Sequence, residues 1–265
     1  MITSRKYAWL GMVAARSNLA YAGEVATRTL FLGVILFIFL QLWRVTYSET
    51  GAERLGGFTL QQMLWYLAAT EAIILSAPRV SQEVDQEVRT GALAVQLIRP
   101  LAYPLARLST TLGERLVRFV MNAVVGALIV TAFVGPIPFS APGLLLFAVA
   151  LLSAFVLDFL GVFVVGLCAF WLEDTSGLTL IYSRITMILG GMLLPLELFP
   201  APVQPLVNAL PFAGIVYGPA RMFVQPDAAF LAGLLARQVT ASLVLALAAA
   251  LVYRAGIRRI HANGG

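Results

Sequence analysis

The sequence predicts an all-α, polytopic membrane protein, and three observations of composition and pattern support that fold class. Of the 265 residues, 60% are hydrophobic and 12% are charged, with a mean hydropathy of +0.89. A soluble domain carries about a quarter charged residues. The apolar runs are continuous and do not alternate with polar residues, which excludes a transmembrane β-barrel. A spanning helix uses about 20 residues, so the length accommodates six spans with loops.

Composition also excludes several kinds of catalytic site. A single cysteine, Cys168, cannot form an intramolecular disulfide, and a single histidine, His261, cannot build a histidine-rich metal site. The only lysine, Lys6, follows no glycine-rich loop, so the sequence contains no phosphate-binding loop of the kind that ATPases use. We therefore expect no catalytic residue, metal site or cofactor on this chain. The sequence contains no basic cluster that resembles a nucleic-acid recognition surface, so we expect no nucleic-acid partner.

Residues 1–24 predict an amphipathic helix that lies in the cytoplasmic headgroup region of the membrane. No long apolar core follows the first basic residues, so the segment is not a secretory signal. A ragged tail is the alternative. The apolar residues of the helix are Tyr7, Trp9, Leu10 and Val13, and its basic residues are Arg5, Lys6 and Arg16.

Six apolar segments in the rest of the chain predict transmembrane helices. The charge-free stretch 119–157 is too long for one helix and is divided by a turn at 135–138, which reads Gly-Pro-Ile-Pro. A polar turn at 173–177 separates the next two spans. The six predicted spans are 25–47, 60–77, 113–134, 142–171, 178–196 and 230–253.

The distribution of basic residues predicts that both termini lie in the cytoplasm. Six spans with the N-terminus inside place fourteen of the 18 basic residues on the cytoplasmic side. The fourteen are Arg5, Lys6, Arg16, Arg28, Arg79, Arg89, Arg99, Arg107, Arg115, Arg118, Arg184, Arg254, Arg258 and Arg259. The four on the outer side are Arg44, Arg54, Arg221 and Arg237.

The cytoplasmic region 79–112 contains a predicted charged helix. Val80, Val84 and Val88 recur every four residues and form one helical stripe, around which the acidic residues project. Asp85 and Arg89 are spaced to form an ion pair along the helix. A short charged helix held near the membrane by an apolar stripe is typical of docking onto a soluble partner. A solvated loop helix is the alternative.

Local signals predict where this region breaks. Gly91 ends the helix, and the pair Arg99-Pro100 stops the apolar run that follows.

The outer region 195–227 combines many prolines with few charges. Its residues 198–220 carry no charge. Irregular backbone at membrane depth persists only where protein or a water-filled cavity covers it. We therefore expect short broken or re-entrant helices over the outer mouth of the bundle, with a plain interfacial loop as the alternative. The prolines are Pro195, Pro200, Pro202, Pro205, Pro211, Pro219 and Pro226.

Two acidic residues fall inside predicted spans. Glu71 and Asp158 are costly in hydrocarbon and are expected to face protein or water. Either they contact a substrate or a proton, or they bond to Ser, Thr or backbone groups between helices. Neither has an evident cationic partner at the same depth.

Four segments together resemble the membrane-spanning permeases of type-2 ATP-binding-cassette transporters. The resemblance covers nearly the whole chain and depends on the order in which the segments occur. They are EVRTGALAVQLIRPLAYPLARL at 87–108, Gly113-Glu114, FWLEDTSGL at 170–178, and LPLELFPAPVQPLVNALPFAGIVYGPARMF at 194–223.

The resemblance implies a single permease domain over 1–265 that is not itself an enzyme. Two permeases, identical or paralogous, would span a bacterial cytoplasmic membrane with two copies of an ATPase subunit below, which would hold ATP and Mg. The charged cytoplasmic helix would couple ATPase closure to export, and the outer region would close the path. The implied coupling residues are Glu83, Asp85, Glu87, Arg89, Gly91 and Arg99. The implied outer-gate residues are Pro200, Pro205, Pro211 and Phe212.

Two other functions remain compatible with the hydropathy. An ion-coupled secondary transporter would use Glu71 and Asp158, although such proteins commonly show two related halves and the sequence shows no internal repeat. A non-transporting membrane assembly protein would need neither the charged helix nor the proline-rich region.

Overall fold

The computed structural model of the chain describes the backbone of residues 2–19, 22–137 and 139–263, and the side chains of residues 5–17, 31–137 and 139–259. Over these ranges the protein is all-helical. Short 3₁₀ helices cover Cys168–Phe170 and Leu196–Leu198. In chain order the α-helices are α1 (Ile2–Leu19), α2 (Ala22–Thr50), α3 (Leu60–Leu75), α4 (Val80–Arg89), α5 (Ala92–Ile98), α6 (Tyr103–Val134), α7 (Ala141–Leu167), α8 (Ser176–Leu189), α9 (Gln204–Ala209), α10 (Pro211–Ile215), α11 (Tyr217–Val224) and α12 (Ala228–Asn263).

Four helices in the described part of the chain are long and apolar enough to cross a membrane. They are α2, α6, α7 and α12, which correspond to the first, third, fourth and sixth predicted spans. The second and fifth correspond to α3, of 16 residues, and α8, of 14. At about 1.5 Å per residue these two extend about 24 and 21 Å, less than the hydrocarbon core of about 30 Å. The protein is a multi-pass membrane protein, and the count of six spans stays a prediction.

The helix that contains the third predicted span is longer than the span itself. α6 begins at Tyr103, ten residues before the predicted start of the span at Gly113, and the point at which the membrane begins stays a prediction. Pro104 stands in its first turn, where proline is well tolerated, and no helix-breaking residue follows before the end of the helix. The cytoplasmic region predicted at 79–112 therefore contains α4, α5 and the first turns of a continuous 32-residue helix.

α1 packs along the first half of α6. The hydroxyl of Tyr7 accepts a hydrogen bond from the backbone N–H of Ala102 at 2.9 Å. Further along, a Cβ placed on Gly113 would overlap the carbonyl oxygen of Gly11, so the two backbones touch. This helix lies within the predicted 1–24 segment, of which residues 1, 20 and 21 fall outside the described residues. Its placement in the headgroup region stays a prediction.

α3 lies at the centre of the bundle, between α2, α6 and α11. Every residue from Met63 to Ile73 is buried. The side chain of Gln61 donates to the carbonyl of Val134 at 3.1 Å, and the indole of Trp65 donates to the carbonyl of Gly135 at 3.2 Å. The far end of α6 is therefore bonded to the buried central helix.

The proline-rich region folds as a series of short helices. α8 ends at Leu189 and not at the predicted residue 196, because the chain turns at Gly190. The 3₁₀ helix and α9 to α11 follow, and α11 is largely buried against α3 and α7. Short broken helices were predicted here and are present. A re-entrant course through the outer leaflet stays a prediction.

Candidate functional site

α4 is the charged helix predicted between the second and third spans. It ends where Gly91 adopts a φ of +73°, a backbone conformation that favours glycine. α5 then ends at Arg99, whose extended backbone is the conformation preferred by a residue before proline. Both predicted breaks in this region are confirmed.

The valine stripe of α4 is buried against α7. Val80 and Val84 are fully buried, and Val88 packs at the edge of the same cluster. A Cβ on Gly166 of α7 would lie 2.9 Å from the Cβ of Val84 and 3.0 Å from the Cα of Ser81. The close approach of the two helices therefore requires glycine. In this way α4 is fixed to a long helix of its own chain.

A second set of contacts fixes α4 to the start of α6. The guanidinium of Arg107 donates to the Oε2 of Glu83 at 2.8 Å and forms an ion pair with Glu87. The hydroxyl of Tyr103 donates to the Oε2 of Glu87 at 2.7 Å. Burial raises the pKa of Glu83, and the charge of Arg107 opposes this shift. Two carboxylates of α4 are thus held by one cation of α6.

A third side of α4 contacts the beginning of α8. Thr175 donates to the Oδ1 of Asp85 at 3.1 Å, and Thr179 donates to the hydroxyl oxygen of Ser81 at 3.0 Å. The predicted ion pair of Asp85 with Arg89 is present at 3.4 Å. Because Asp85 is only 8% exposed, its carboxylate faces the bundle.

The remaining face of α4 is open. It presents the polar side chains of Gln82, Glu83, Gln86 and Arg89. Of the six predicted coupling residues, Asp85 and Glu87 are turned inward. The exposed ones are Glu83, Arg89, Gly91 and Arg99. The helix therefore combines one free polar face with contacts to three other helices.

Asp158 has a cationic partner, so the prediction that it lacks one is wrong. The guanidinium of Arg115 donates to its Oδ2 at 2.6 Å, and the hydroxyl of Tyr182 donates to its Oδ1 at 2.9 Å. Arg115 is 1% exposed and stacks on the ring of Phe155, 4.2 Å from its centroid. A buried ion pair therefore joins α6, α7 and α8.

The error arises because Arg115 was assigned to the cytoplasmic side, although it stands two residues inside the predicted third span. In the structure Arg115 lies on α6 and is buried in the bundle. Without Arg115 the basic residues divide thirteen to four, so their distribution still predicts that both termini lie in the cytoplasm. The side chain of Arg28, also counted as cytoplasmic, lies outside the described residues.

Glu71 is the other predicted intramembrane acid, and its surroundings are different. It is 2% exposed, and its Oε1 has no hydrogen-bond partner among the described residues. Satisfaction of this oxygen by Ser, Thr or backbone groups is therefore not observed. Of the two predicted acids, only Asp158 forms an ion pair with another described residue.

One outer-gate candidate lies close to the buried ion pair. The ring of Phe212 meets the ring of Tyr182 edge to face, 5.9 Å between centroids. Tyr182 therefore contacts both Asp158 and the proline-rich region. Pro211 begins α10 and is half-buried, while Pro200 and Pro205 are exposed.

Comparison with known families identifies the chain. A family model described as ABC-2 family transporter protein matches residues 32–264. The chain belongs to the ABC-2 transporter family. No curated protein matches it. Members of this permease family are membrane subunits of ABC-type transporters and are not enzymes themselves, and the family implies association with an ABC ATPase subunit.

In this ABC-2 permease the sequence analysis identified the acidic member of two contacts between helices, at α4 and at Asp158, and missed the partners of these acids. Arg107, Arg115 and Tyr182 were not singled out as site residues, yet each bonds to a residue that was. The two residues of each pair lie 24 to 43 positions apart in the sequence, so no rule based on local spacing detects them. The signal that could have indicated Arg107 and Arg115 is their position, since each lies within two helical turns of the start of a predicted span.

The proline-rich region of the permease contains a further polar cluster. The hydroxyl of Tyr217 donates to the Oε1 of Glu197 at 2.5 Å, and the Nε of Arg221 lies 3.7 Å from the same oxygen. The guanidinium of Arg221 also stacks on Phe230, 4.0 Å from the ring centroid. These contacts fix the 3₁₀ helix at Glu197 to α11 and α12.

We expect Tyr217→Phe to destabilise the permease by roughly 1.5–3 kcal/mol, because a hydrogen bond to a charged group is lost. Tyr47→Phe is the matched control: its hydroxyl donates to the neutral carbonyl of Phe58 at 2.6 Å, and its loss costs roughly 0.5–1.5 kcal/mol. Thermal unfolding of both variants in mild detergent measures the difference. Equal melting temperatures would contradict a charged acceptor at Glu197.

Proposed function

We propose that this chain is the membrane-spanning permease subunit of an ABC exporter. A separate ATPase subunit, present in two copies and holding ATP and Mg, hydrolyses ATP, and this chain converts the closure of that subunit into movement of substrate. A second permease, identical or paralogous, completes the core. The assembly lies in a bacterial cytoplasmic membrane with both termini inside. The observation that carries the proposal is the set of contacts made by α4.

The inner contacts of α4 support transmission of movement. Val84 packs at Gly166 of α7, Asp85 bonds to Thr175 before α8, and Glu87 pairs with Arg107 of α6. A displacement of α4 therefore reaches three helices at once. A solvated loop helix, the alternative predicted from sequence, would need none of these contacts.

The outer face of α4 supports docking. Gln82, Gln86 and Arg89 are exposed side by side along about two turns, and Glu83 borders them with its side chain 46% exposed. Neutral polar and charged side chains together are suited to an interface with the ATPase that changes during the transport cycle. Transient protein interfaces of this kind are more polar than permanent ones. The export direction is taken from the family resemblance.

An ion-coupled secondary transporter is the second candidate, and Glu71 is the observation that favours it. Its buried Oε1 is available for a proton or ion. Asp158, the other acid such a mechanism would use, is already paired with Arg115. Transport that continues without ATP while the proton gradient is kept would favour this candidate over the exporter.

Replacing Arg107 with Gln tests the coupling role of α4. The change removes the cation that joins Glu83 and Glu87 to α6 and leaves the outer face intact. We expect the ATPase to co-purify as before, while transport per ATP hydrolysed falls severalfold. Co-purification in mild detergent, then ATPase and transport assays in proteoliposomes, measure both quantities.

The matched variant is Arg89→Gln, which removes a charge from the outer face and spares the Arg107 contacts. We expect it to weaken co-purification of the ATPase. If no ATPase accompanies the wild-type chain under conditions that preserve complexes, the proposed function fails. If Arg107→Gln transports normally, α4 is not the coupling element.

A further inference from the structure

A pocket of about 260 Å³ opens where α1, α4, α5 and α6 meet. Its polar wall includes Gln96, Arg99 and Thr110, and its apolar wall includes Leu10 and Leu101. The Arg107 and Glu87 pair borders one side. The pocket therefore offers both charge and hydrocarbon to a ligand.

The free charge in this pocket is positive. Arg107 is occupied by Glu83 and Glu87. Arg99 is exposed and forms no ion pair with another described residue. Lys6 is exposed and precedes Leu10 by four residues, so it lies on the same face of α1, one turn away. An anionic group at the mouth of the pocket would complement these two cations.

The surfaces on either side of the pocket are apolar. On α1, Trp9 and Val13 are 56% and 58% exposed. On α5, Val95 and Ile98 are 61% and 85% exposed. Helices with basic residues beside exposed aromatic and aliphatic side chains lie at the headgroup and acyl-chain boundary of a bilayer. A ligand that extends from the pocket therefore meets hydrocarbon-compatible surface on both sides.

We propose that this pocket binds an anionic phospholipid of the membrane leaflet that faces the ATPase. The phosphate lies at the guanidinium of Arg99, Gln96 and Thr110 bond to polar headgroup atoms, and the acyl chains follow Leu10 and the apolar side of α1. Basic pockets at the cytoplasmic ends of membrane helices recognise such headgroups. The leaflet assignment rests on the proposed function, whereas binding itself does not.

The purified full-length chain without any ATPase tests the proposal. Retention of phosphatidylglycerol and of phosphatidylcholine is measured by native mass spectrometry in mild detergent. We expect phosphatidylglycerol to be retained preferentially, and Arg99→Gln to weaken its binding roughly fivefold, which is the effect of one basic residue near an anionic headgroup. Arg44→Gln is the matched control, because Arg44 is exposed at the opposite end of the bundle.

Three outcomes would overturn the proposal: equal retention of the two lipids, equal weakening by Arg99→Gln and Arg44→Gln, or binding of soluble glycerol phosphate as tight as that of the lipid. Equally tight binding of glycerol phosphate would show that the pocket holds a free phosphate and that the apolar walls add nothing to the affinity. Since no ATPase is present, these outcomes leave the coupling role of α4 unaffected, and failure of coupling leaves lipid retention unaffected.

Discussion

Replacing Asp158 with Ala is expected to destabilise the permease by about 3–5 kcal/mol, because the charge of Arg115 is then buried without a counter-charge. The guanidinium is 1% exposed, and the bond to Asp158 is its only ion pair among the described residues. The measurement is thermal unfolding in mild detergent, together with the amount of folded protein recovered from membranes. Both are expected to fall sharply.

Two further variants separate charge from packing. Tyr182→Phe keeps the ion pair and removes one hydrogen bond to Asp158, so its loss is expected to be smaller, roughly 1.5–3 kcal/mol. Arg115→Met combined with Asp158→Leu removes both charges and retains apolar volume, which is often neutral for buried pairs. If the double variant unfolds as easily as Asp158→Ala, lost packing and not an unpaired charge explains the effect.

Replacing Gly113 with Leu is expected to separate α1 from α6. A Cβ at this position already overlaps the carbonyl oxygen of Gly11, and the helix backbone cannot yield locally. Forced overpacking costs about 1–3 kcal/mol in well-packed cores. Limited trypsin digestion measures the separation, because cleavage after Lys6 and Arg16 is expected to become faster once α1 no longer packs on α6.

Gly177→Leu is the control for this change. Gly177 stands at the start of α8, where a Cβ would meet no atom within 4 Å. We expect its digestion pattern to match that of the wild-type chain. Faster cleavage in both variants would point to general loosening of the bundle and would contradict a specific role for the Gly11–Gly113 contact.

Much of the helical framework is predictable from local signals in the sequence. The breaks at Gly91, Arg99 and Gly135 depend on backbone preferences of glycine and proline, which act over one or two residues. The buried stripe of Val80 and Val84 follows from helical periodicity. Local preferences of this kind need no knowledge of which helices become neighbours.

What the sequence could not predict depends on neighbours in space. The partner of Asp158 lies 43 residues away along the chain, and the contact of Gly11 with Gly113 joins helices separated by two predicted spans. Hydropathy also did not indicate the first ten residues of α6, because charged and polar residues in its first turns lower the apolar signal without breaking the helix. Which helices contact one another is decided by their packing, and the periodicity of the sequence contains no information about it.

The charged helix α4 and the proline-rich region, which lie far apart along the chain, are linked through a few intervening residues. Phe212 of the outer region contacts Tyr182, and Tyr182 bonds to Asp158 and so reaches Arg115. Arg115 lies on the same helix as Arg107, which holds α4. A continuous series of contacts thus runs from the charged helix to the proline-rich region.

The unbroken course of α6 has a mechanical consequence. With 32 residues and a rise of about 1.5 Å per residue, it forms a stiff rod about 48 Å long. A tilt of about 5° applied at one end of such a rod moves the other end by about 4 Å. One end carries Arg107, and the other is bonded to the side chains of Gln61 and Trp65. A rotation of about 5° at the charged end would therefore displace the opposite end by about 4 Å, which is more than the diameter of a water molecule.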